Sequence, residues 1–490
     1  FSADEAGRYF ILISATNAGG TTEKEIRIDV FQLDVPTISI ADADKGFKVL
    51  QGSELTITPI VDSFLETSYS WQINGEDISN ELTCTLPTIE LGEYQVRFAT
   101  HNEDGDDEVT FKVEVCSPDQ VDFNWTFLQT EYNMSAGRTI RIKPVDVNNA
   151  LDAVYTWTVD NEQVQSGEND TYLFTSEQQG EHTVKVEMKN SYILATQTLK
   201  VNVCPPAGTY QRKISATSSA SMNKVYEYLP APGQFINENH NTTTMAEACT
   251  YAEERINQTA YVSLGGFGGY IIVGFDHSIV NDGDYNIAIT GNAFDGSSEP
   301  GIVWVMQDEN GDGLPNDTWY ELRGSEYGKA ETWQDYAVTY HKPTGIQLPT
   351  PWTDNHGQSG SIDYLGAFHR QDYYYPAWVK EKQYTLRGTR LKERNYDQSG
   401  NGTYWVNDSY EWGYADNFSA IDRLTDDDNY NAGPSDNHFK ISHAVTFDGK
   451  DANLKYVDFI KVQVGVNSKS GWLGEISTEV FGIKDFNMLK

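Results

Sequence analysis

The run QDENGDGLPNDTWYEL, residues 307–322, gathers oxygen-bearing side chains around two glycines. Asp308, Asn310 and Asp312 stand at positions 1, 3 and 5 of a loop and Gly313 at position 6. In that spacing alternate side chains converge on one point while the glycine permits the sharp turn, as in the first half of an EF-hand calcium loop. The second half departs from the pattern. Trp319 occupies the twelfth position and has no oxygen to offer, so the remaining donors fall to the Leu314 carbonyl, Asn316 or Asp317, and Glu321. Hard oxygen donors with no His or Cys nearby select Ca2+ over a transition metal. A structural ion is expected, because the loop offers no nucleophile; an Asx-rich hairpin turn without metal is the alternative. A second acidic run, TDDDNYN from Thr425, sets Asp426, Asp427 and Asp428 side by side. Consecutive carboxylates diverge, so a solvated turn is expected there.

The other chemically pointed stretch is aromatic. Residues 351–380 contain Trp352, His356, Phe368, His369, Tyr373, Tyr374, Tyr375 and Trp378, with the amides of Asn355 and Gln358 among them, and Trp412 and Tyr414 follow. Strand alternation would bury about half of these rings. Pro376 and polar neighbours interrupt the run, so several rings are expected to face a groove or solvent as a binding surface, although core packing is the expectation for any single tyrosine.

These residues need a scaffold, and repetition supplies part of it. GRYFILISATNAGGTTEKEIRIDV, GEYQVRFATHNEDGDDEVTFKVEV and GEHTVKVEMKNSYILATQTLKVNV begin at residues 7, 92 and 180, spaced by 85 and then 88. Each alternates, turns and alternates again, the pattern of a hairpin with one buried face. YSWQINGEDI and YTWTVDNEQV precede the last two copies and place Trp71 and Trp157 as core residues. Cys116 and Cys204 directly follow the last strand of their repeats. The first copy has only its final hairpin. The expected division is therefore a C-terminal hairpin of a repeat at 1–34, sandwiches at 35–116 and 117–205, and a long domain at 206–490. In the last, TTMAEACTYAEERINQ is the one convincing helix, with Thr244 and Glu247 at capping-box spacing. GGYIIVGF, DYNIAITGN, GIVWVMQD, WYELRG, DYAVTYHK and VDFIKVQVGV read as strands. The fold class expected is all-β: tandem immunoglobulin- or PKD-like sandwiches, then a larger jelly-roll-like sandwich with one short helix.

Bulk properties narrow the partners. Lys and Arg total 35 against 72 Asp and Glu, a net charge of −37 that opposes nucleic acid and anionic bilayers. Cys84, Cys116, Cys204 and Cys249 are too few and too scattered for a disulfide framework or a zinc site. There is no GxSxG elbow, no HExxH and no phosphate loop, and GGFGGY precedes a strand and not a helix, so no enzyme is expected. Phe1 is not a start methionine, and a leader with a lipid-bearing N-terminus is compatible with the opening in mid-repeat.

The repeats resemble the PKD-like and immunoglobulin-like sandwiches found in tandem on bacterial surface proteins. YVSLGGFGGYIIVGFDHSIVN, EPGIVWVMQDENGDGLPNDTWYEL, FHRQDYYYPAW and KYVDFIKVQVGVNSKSGWLGEISTEVFGIKDF resemble the C-terminal domain of PKD-like-domain cell-surface lipoproteins of gut Bacteroidetes. The resemblance implies an outer-membrane protein that captures vitamin B12 for a TonB-dependent transporter. Cobalamin is large, amide-rich and nearly neutral, so it calls for aromatic and amide-donating groups, for which Tyr373 to Tyr375, Trp378, Asn355 and Gln358 are the candidates, with His369 or His356 facing the cobalt. A calcium-stabilised carbohydrate-binding module or a protein adhesin is the competing expectation.

Overall fold

The computed structural model describes the chain apart from residues 2–6, 31–32, 42, 64, 118–119, 121–122, 149, 151, 191–192, 239 and 425–433. The TDDDNYN run lies outside the described residues. The chain divides into two compact units, Phe1–Ser117 and Pro118–Lys490.

In the first unit, Gly7–Asn17 and Gly20–Val30 pair antiparallel along their full length. The sandwich that follows orders its main sheet Phe47–Leu50, Gly105–Cys116, Gly92–Asn102, Ser68–Ile73 and Glu76–Ser79, with the first pair parallel. Trp71 is wholly buried at its centre, against Phe98, and its Nε1 donates to the Glu81 carbonyl at 2.9 Å. The second unit repeats this plan. Glu131–Ser135, Leu194–Cys204, Gly180–Lys189, Val154–Val159 and Glu162–Gly167 form the equivalent sheet, and Trp157 fills the equivalent place. Alternation buries Val184, Val186 and Met188 on one face of Gly180–Lys189. A groove of about 650 Å³ lies over the first sandwich, but its charges pair with each other, Arg97 with Glu108 and His101 with Asp106, as on a solvated sheet face.

The long C-terminal domain is also β. Its central six-stranded antiparallel sheet runs Lys224–Leu229, Tyr270–Val280, Tyr456–Val464, Gly301–Met306, Trp319–Leu322 and Ala444–Val445. A four-stranded sheet (Ser359–Ile362, Thr350–Asp354, Trp333–His341, Gln383–Arg390), a three-stranded one (Ser435–Phe439, Ile287–Gly291, Gly482–Asp485) and two short pairs, Val262–Ser263 with Glu479–Val480 and Asn395–Asp397 with Trp405–Asn407, pack around it. One apolar cluster joins the larger sheets through Ile271, Val303, Tyr340 and Val462. The helix Met245–Asn257 starts where expected: Thr244 caps it by accepting from Glu247 N, and the Glu247 carboxylate returns to Thr243 N at 2.7 Å. All six strands expected from the sequence form. The other strands of the three larger sheets, Lys224–Leu229, Thr350–Asp354, Ser359–Ile362, Gln383–Arg390, Ser435–Phe439, Ala444–Val445 and Gly482–Asp485, are not among those expected, because they are short or their polar positions blur the alternation.

Candidate functional site

The hairpin between Gly301–Met306 and Trp319–Leu322 holds the acidic loop. Asp308 Oδ1 accepts from Gly311 N at 2.7 Å and Oδ2 from Gly313 N at 3.1 Å, and both glycines take the left-handed backbone that this turn requires. Asp312 Oδ1 accepts from Leu314 N at 2.8 Å, while its Oδ2 takes the side-chain amides of Asn310 and Asn316, each at 2.8 Å. Asp317 Oδ2 accepts from Glu309 N at 3.0 Å; its Oδ1 is buried with no partner among the described residues. Burial pushes the Asp317 carboxyl up to about 8, with Glu309, Asp308 and Asp312 adding to the rise. An all-oxygen set with one orphaned carboxylate oxygen fits a hard cation; both Asp308 oxygens, Asp312 Oδ1 and Asp317 Oδ2 each retain a lone pair, whereas Asp312 Oδ2 is taken up by two amides.

Glu321 does not share this network. Its carboxylate, buried inside a strand, accepts from Thr389 Oγ1 at 2.5 Å, and its charge partner is Lys461. Strand alternation explains the departure, since Trp304, opposite Glu321, shares its face with Lys461, which lies over the rings of Tyr270, Trp304 and Trp319. Burial raises Glu321 to about 7. A carboxyl raised in the folded state binds a proton that the unfolded chain has already lost, so stability falls as pH rises between the ordinary value and the folded one. The melting midpoint is therefore expected to fall from about pH 4.5 to about pH 7, and less steeply in Glu321→Gln. Equal slopes in calorimetric scans of the two proteins would contradict the assignment.

The loop is also a joint. Glu309, almost fully buried, accepts from Ser135 N at 3.0 Å and pairs with Arg138 at 3.6 Å. Arg138 further donates to the Ala452 carbonyl at 2.9 Å and reaches Gln307 Oε1 at 3.4 Å. Asn133 Nδ2 donates to the Asn316 carbonyl at 3.2 Å. From the other side Asp308 N donates to Asp458 Oδ2 at 2.8 Å, and Asp458 pairs with Arg212 at 3.0 Å. Residues of the second sandwich and of the C-terminal domain thus meet on the loop, a role that its sequence did not reveal.

The aromatic constellation divides. Tyr374, Tyr375, Trp378 and Tyr414 belong to the core, and the expectation of an open surface built on them is corrected. Each polar edge has an internal partner: Tyr374 OH donates to the His369 carbonyl, Tyr375 OH to the Glu381 carbonyl and Trp378 Nε1 to the Tyr228 carbonyl, while Tyr414 OH accepts from Glu326 N. The segment around Pro376 is irregular, so alternation does not apply and successive rings turn inward together. Trp352 and Tyr373 are half-buried at the edge of the core. His369 is held by Glu238 at 2.8 Å and packs on Phe235. His356 is exposed and stacks on Trp333 with centroids 4.2 Å apart. Asn355 spends its amide on the Asp335 carbonyl and on Ala337 N, Gln358 is exposed, and Trp412 packs on His443.

One predicted ring does stand open. Phe368 is 65% exposed, and its neighbour is Trp472, 50% exposed, with centroids 6.2 Å apart. Leu473 extends this face. Trp472 lay outside the predicted set, although GWLG, an apolar pair between glycines, marks a displayed tip. Gly471, at φ 52°, sits where a Cβ would strike the Trp405 ring, and the Leu473 carbonyl is anchored by Gln234 Nε2 at 2.7 Å. The tip is therefore exposed and held.

No curated protein matches the chain. Among solved structures it is similar to the fibronectin(III)-like modules of Clostridium thermocellum CbhA (16% identity over 36% of this chain and 100% of that one, TM-score 0.19). It is also similar to the Ig1-2 module of the Drosophila receptor protein tyrosine phosphatase DLAR (11% identity, 34% and 98%, TM-score 0.18). A third similarity is to three N-terminal domains of the bacteriophage RB49 outer capsid protein Hoc (13% identity, 41% and 80%, TM-score 0.19). Residues 35–102 and 127–190, which lie within the two sandwiches described above, each match the PKD-like domain, so the chain carries two PKD-like β-domain regions in tandem.

Proposed function

We propose that this protein is an exported, surface-displayed binding protein, with no catalytic activity, whose C-terminal domain captures a bulky uncharged ligand. The observation that carries the reading is the Phe368–Trp472 face, two large apolar rings from separate segments exposed side by side, Trp472 on a held loop. The sandwiches are read as spacers on an outer-membrane lipid anchor, and a Ca2+ ion in the acidic loop, held by Asp308, Asn310, Asp312 and Asp317, is read as the structural cofactor. Cobalamin is the ligand that the sequence resemblance implies, for delivery to a TonB-dependent transporter. With Tyr374, Tyr375 and Trp378 buried, that reading now rests on Phe368, Trp472, the exposed His356 and Gln358, and the half-buried His369 and Tyr373. Carbohydrate is the second reading, favoured by the two neighbouring rings, since apolar sugar faces stack on such surfaces.

Calorimetric titration of the purified chain with cyanocobalamin, beside a panel of glycans, separates them. Submicromolar binding of the corrinoid is expected. Binding confined to glycans would transfer the proposal to the second reading, and silence in both would favour adhesion to a protein.

A further inference from the structure

Three carboxylates far apart in sequence meet inside the C-terminal domain. Glu299 precedes the strand Gly301–Met306, Asp416 follows Ala415, which bridges back to Gly301, and Glu479 opens the short strand Glu479–Val480. One oxygen from each lies within 4.8 Å of the other two. Backbone amides aim this set: Asn292 N, Ala293 N and Glu479 N donate to Asp416 at 2.7, 2.8 and 2.9 Å. Gly291 leaves the room, since a Cβ there would stand 2.4 Å from Asp416 Oδ1.

A cluster of acids alone says little, and a second observation points to a ligand. Glu479 is 4% exposed, and its Oε1 is buried without a hydrogen-bond partner among the described residues. Glu475, 5% exposed and four residues earlier, likewise leaves Oε2 bare while Oε1 accepts from Gln234 N. Burial is the first influence on each of the three carboxyls and raises it, and repulsion from one another comes next for Asp416 and Glu479. Three adjacent carboxylates, Asp416 and Glu479 buried and Glu299 half-buried, cannot all remain ionised without a counter-charge. Shared protons are one resolution and a cation is the other. The amide donors on Asp416 favour its ionised form, and the bare Glu479 oxygen is a ligand face without a donor. Oxygens bound at 2.3–2.6 Å by one Ca2+ ion lie at most roughly 5 Å apart, and the three oxygens here, all within 4.8 Å of one another, fall inside that limit.

We propose that Glu299, Asp416 and Glu479 bind a divalent cation of the hard, oxygen-preferring class, Ca2+ in particular, at a site separate from the acidic loop. Its position gives it a consequence for the exposed face. The segment 470–479 carries Trp472 and Leu473 at one end and Glu475 and Glu479 at the other, and Gln234 ties Glu475 to the Leu473 carbonyl. The ion would fix the base of the segment that displays the rings.

The test is an ion count on the full chain. After stripping with EGTA and dialysis against CaCl2, Glu299→Gln and Glu479→Gln should each retain one Ca2+ fewer per chain than the parent. Soaking crystals of the unmodified protein in MnCl2 should place an anomalous peak among the three carboxylates, a measurement independent of how the variants fold. An unchanged ion count in folded variants, or crystals with no peak there, would overturn the site in favour of shared protons.

Discussion

Asp308→Ala is expected to destabilise the second compact unit by about 1–3 kcal/mol, because it removes the buried carboxylate to which the part-buried backbone N–H groups of Gly311 and Gly313 donate. Each unsatisfied buried donor costs about 1–3 kcal/mol. If the loop also holds Ca2+, the same substitution removes a ligand, and the two losses share one cause. Denaturant unfolding with and without EGTA distinguishes the parts. The parent protein should lose stability in EGTA, whereas Asp308→Ala should start lower and respond little to the chelator. A parent transition indifferent to EGTA would remove the metal from the loop and leave only the turn.

Arg138→Ala is expected to cost about 3–5 kcal/mol, the usual consequence of leaving a buried charge without its partner. Here the stranded group is Glu309, whose side chain is only 1% exposed, and Arg138 also bonds the Ala452 carbonyl and Gln307. The loss falls on the joint between the second sandwich and the C-terminal domain, since the cores around Trp157 and Val303 are separate. Scanning calorimetry should show one transition of the second unit dividing into two, and proteolysis should quicken around Pro205–Tyr210. Arg138→Lys should restore only part, because an ammonium cannot present the planar fork that reaches three acceptors. A single undivided transition in Arg138→Ala would mean that other contacts hold the joint.

The sequence disclosed most where a local rule and the tertiary structure agree. The hairpins from Gly92 and Gly180 keep strict alternation because one face packs on Trp71 or Trp157 and the other meets water. The Thr244 cap is a contact within one turn and was equally legible. Asp308, Asn310, Asp312 and Gly313 were readable for the same reason. What was hidden lies in long-range pairing. Glu299 and Asp416 are 117 residues apart and Asp416 and Glu479 are 63 apart, and nothing near any one of them signals the others. Arg138 looks like a turn residue until Glu309 is set against it. Tyr374, Tyr375 and Trp378 misled because ring density was read as exposure, whereas an irregular segment around Pro376 folded them under the surface. Trp472 carried a local signal in GWLG, an apolar pair between glycines, but one ring there was outweighed by the dense run of rings over residues 352–378.

The proposed function stands or falls with ligand binding at the open rings of Phe368 and Trp472. The most direct test is calorimetric titration of the double variant Phe368→Ala, Trp472→Ala beside the parent with cyanocobalamin and with whichever glycan the panel selects. Neither side chain belongs to the buried core, so the melting transition should stay nearly in place. The ligand bound by the parent is expected to bind the double variant at least about tenfold more weakly, the result of losing about 1.4 kcal/mol or more of contact. Equal affinity for parent and variant would place the binding site elsewhere and contradict the account.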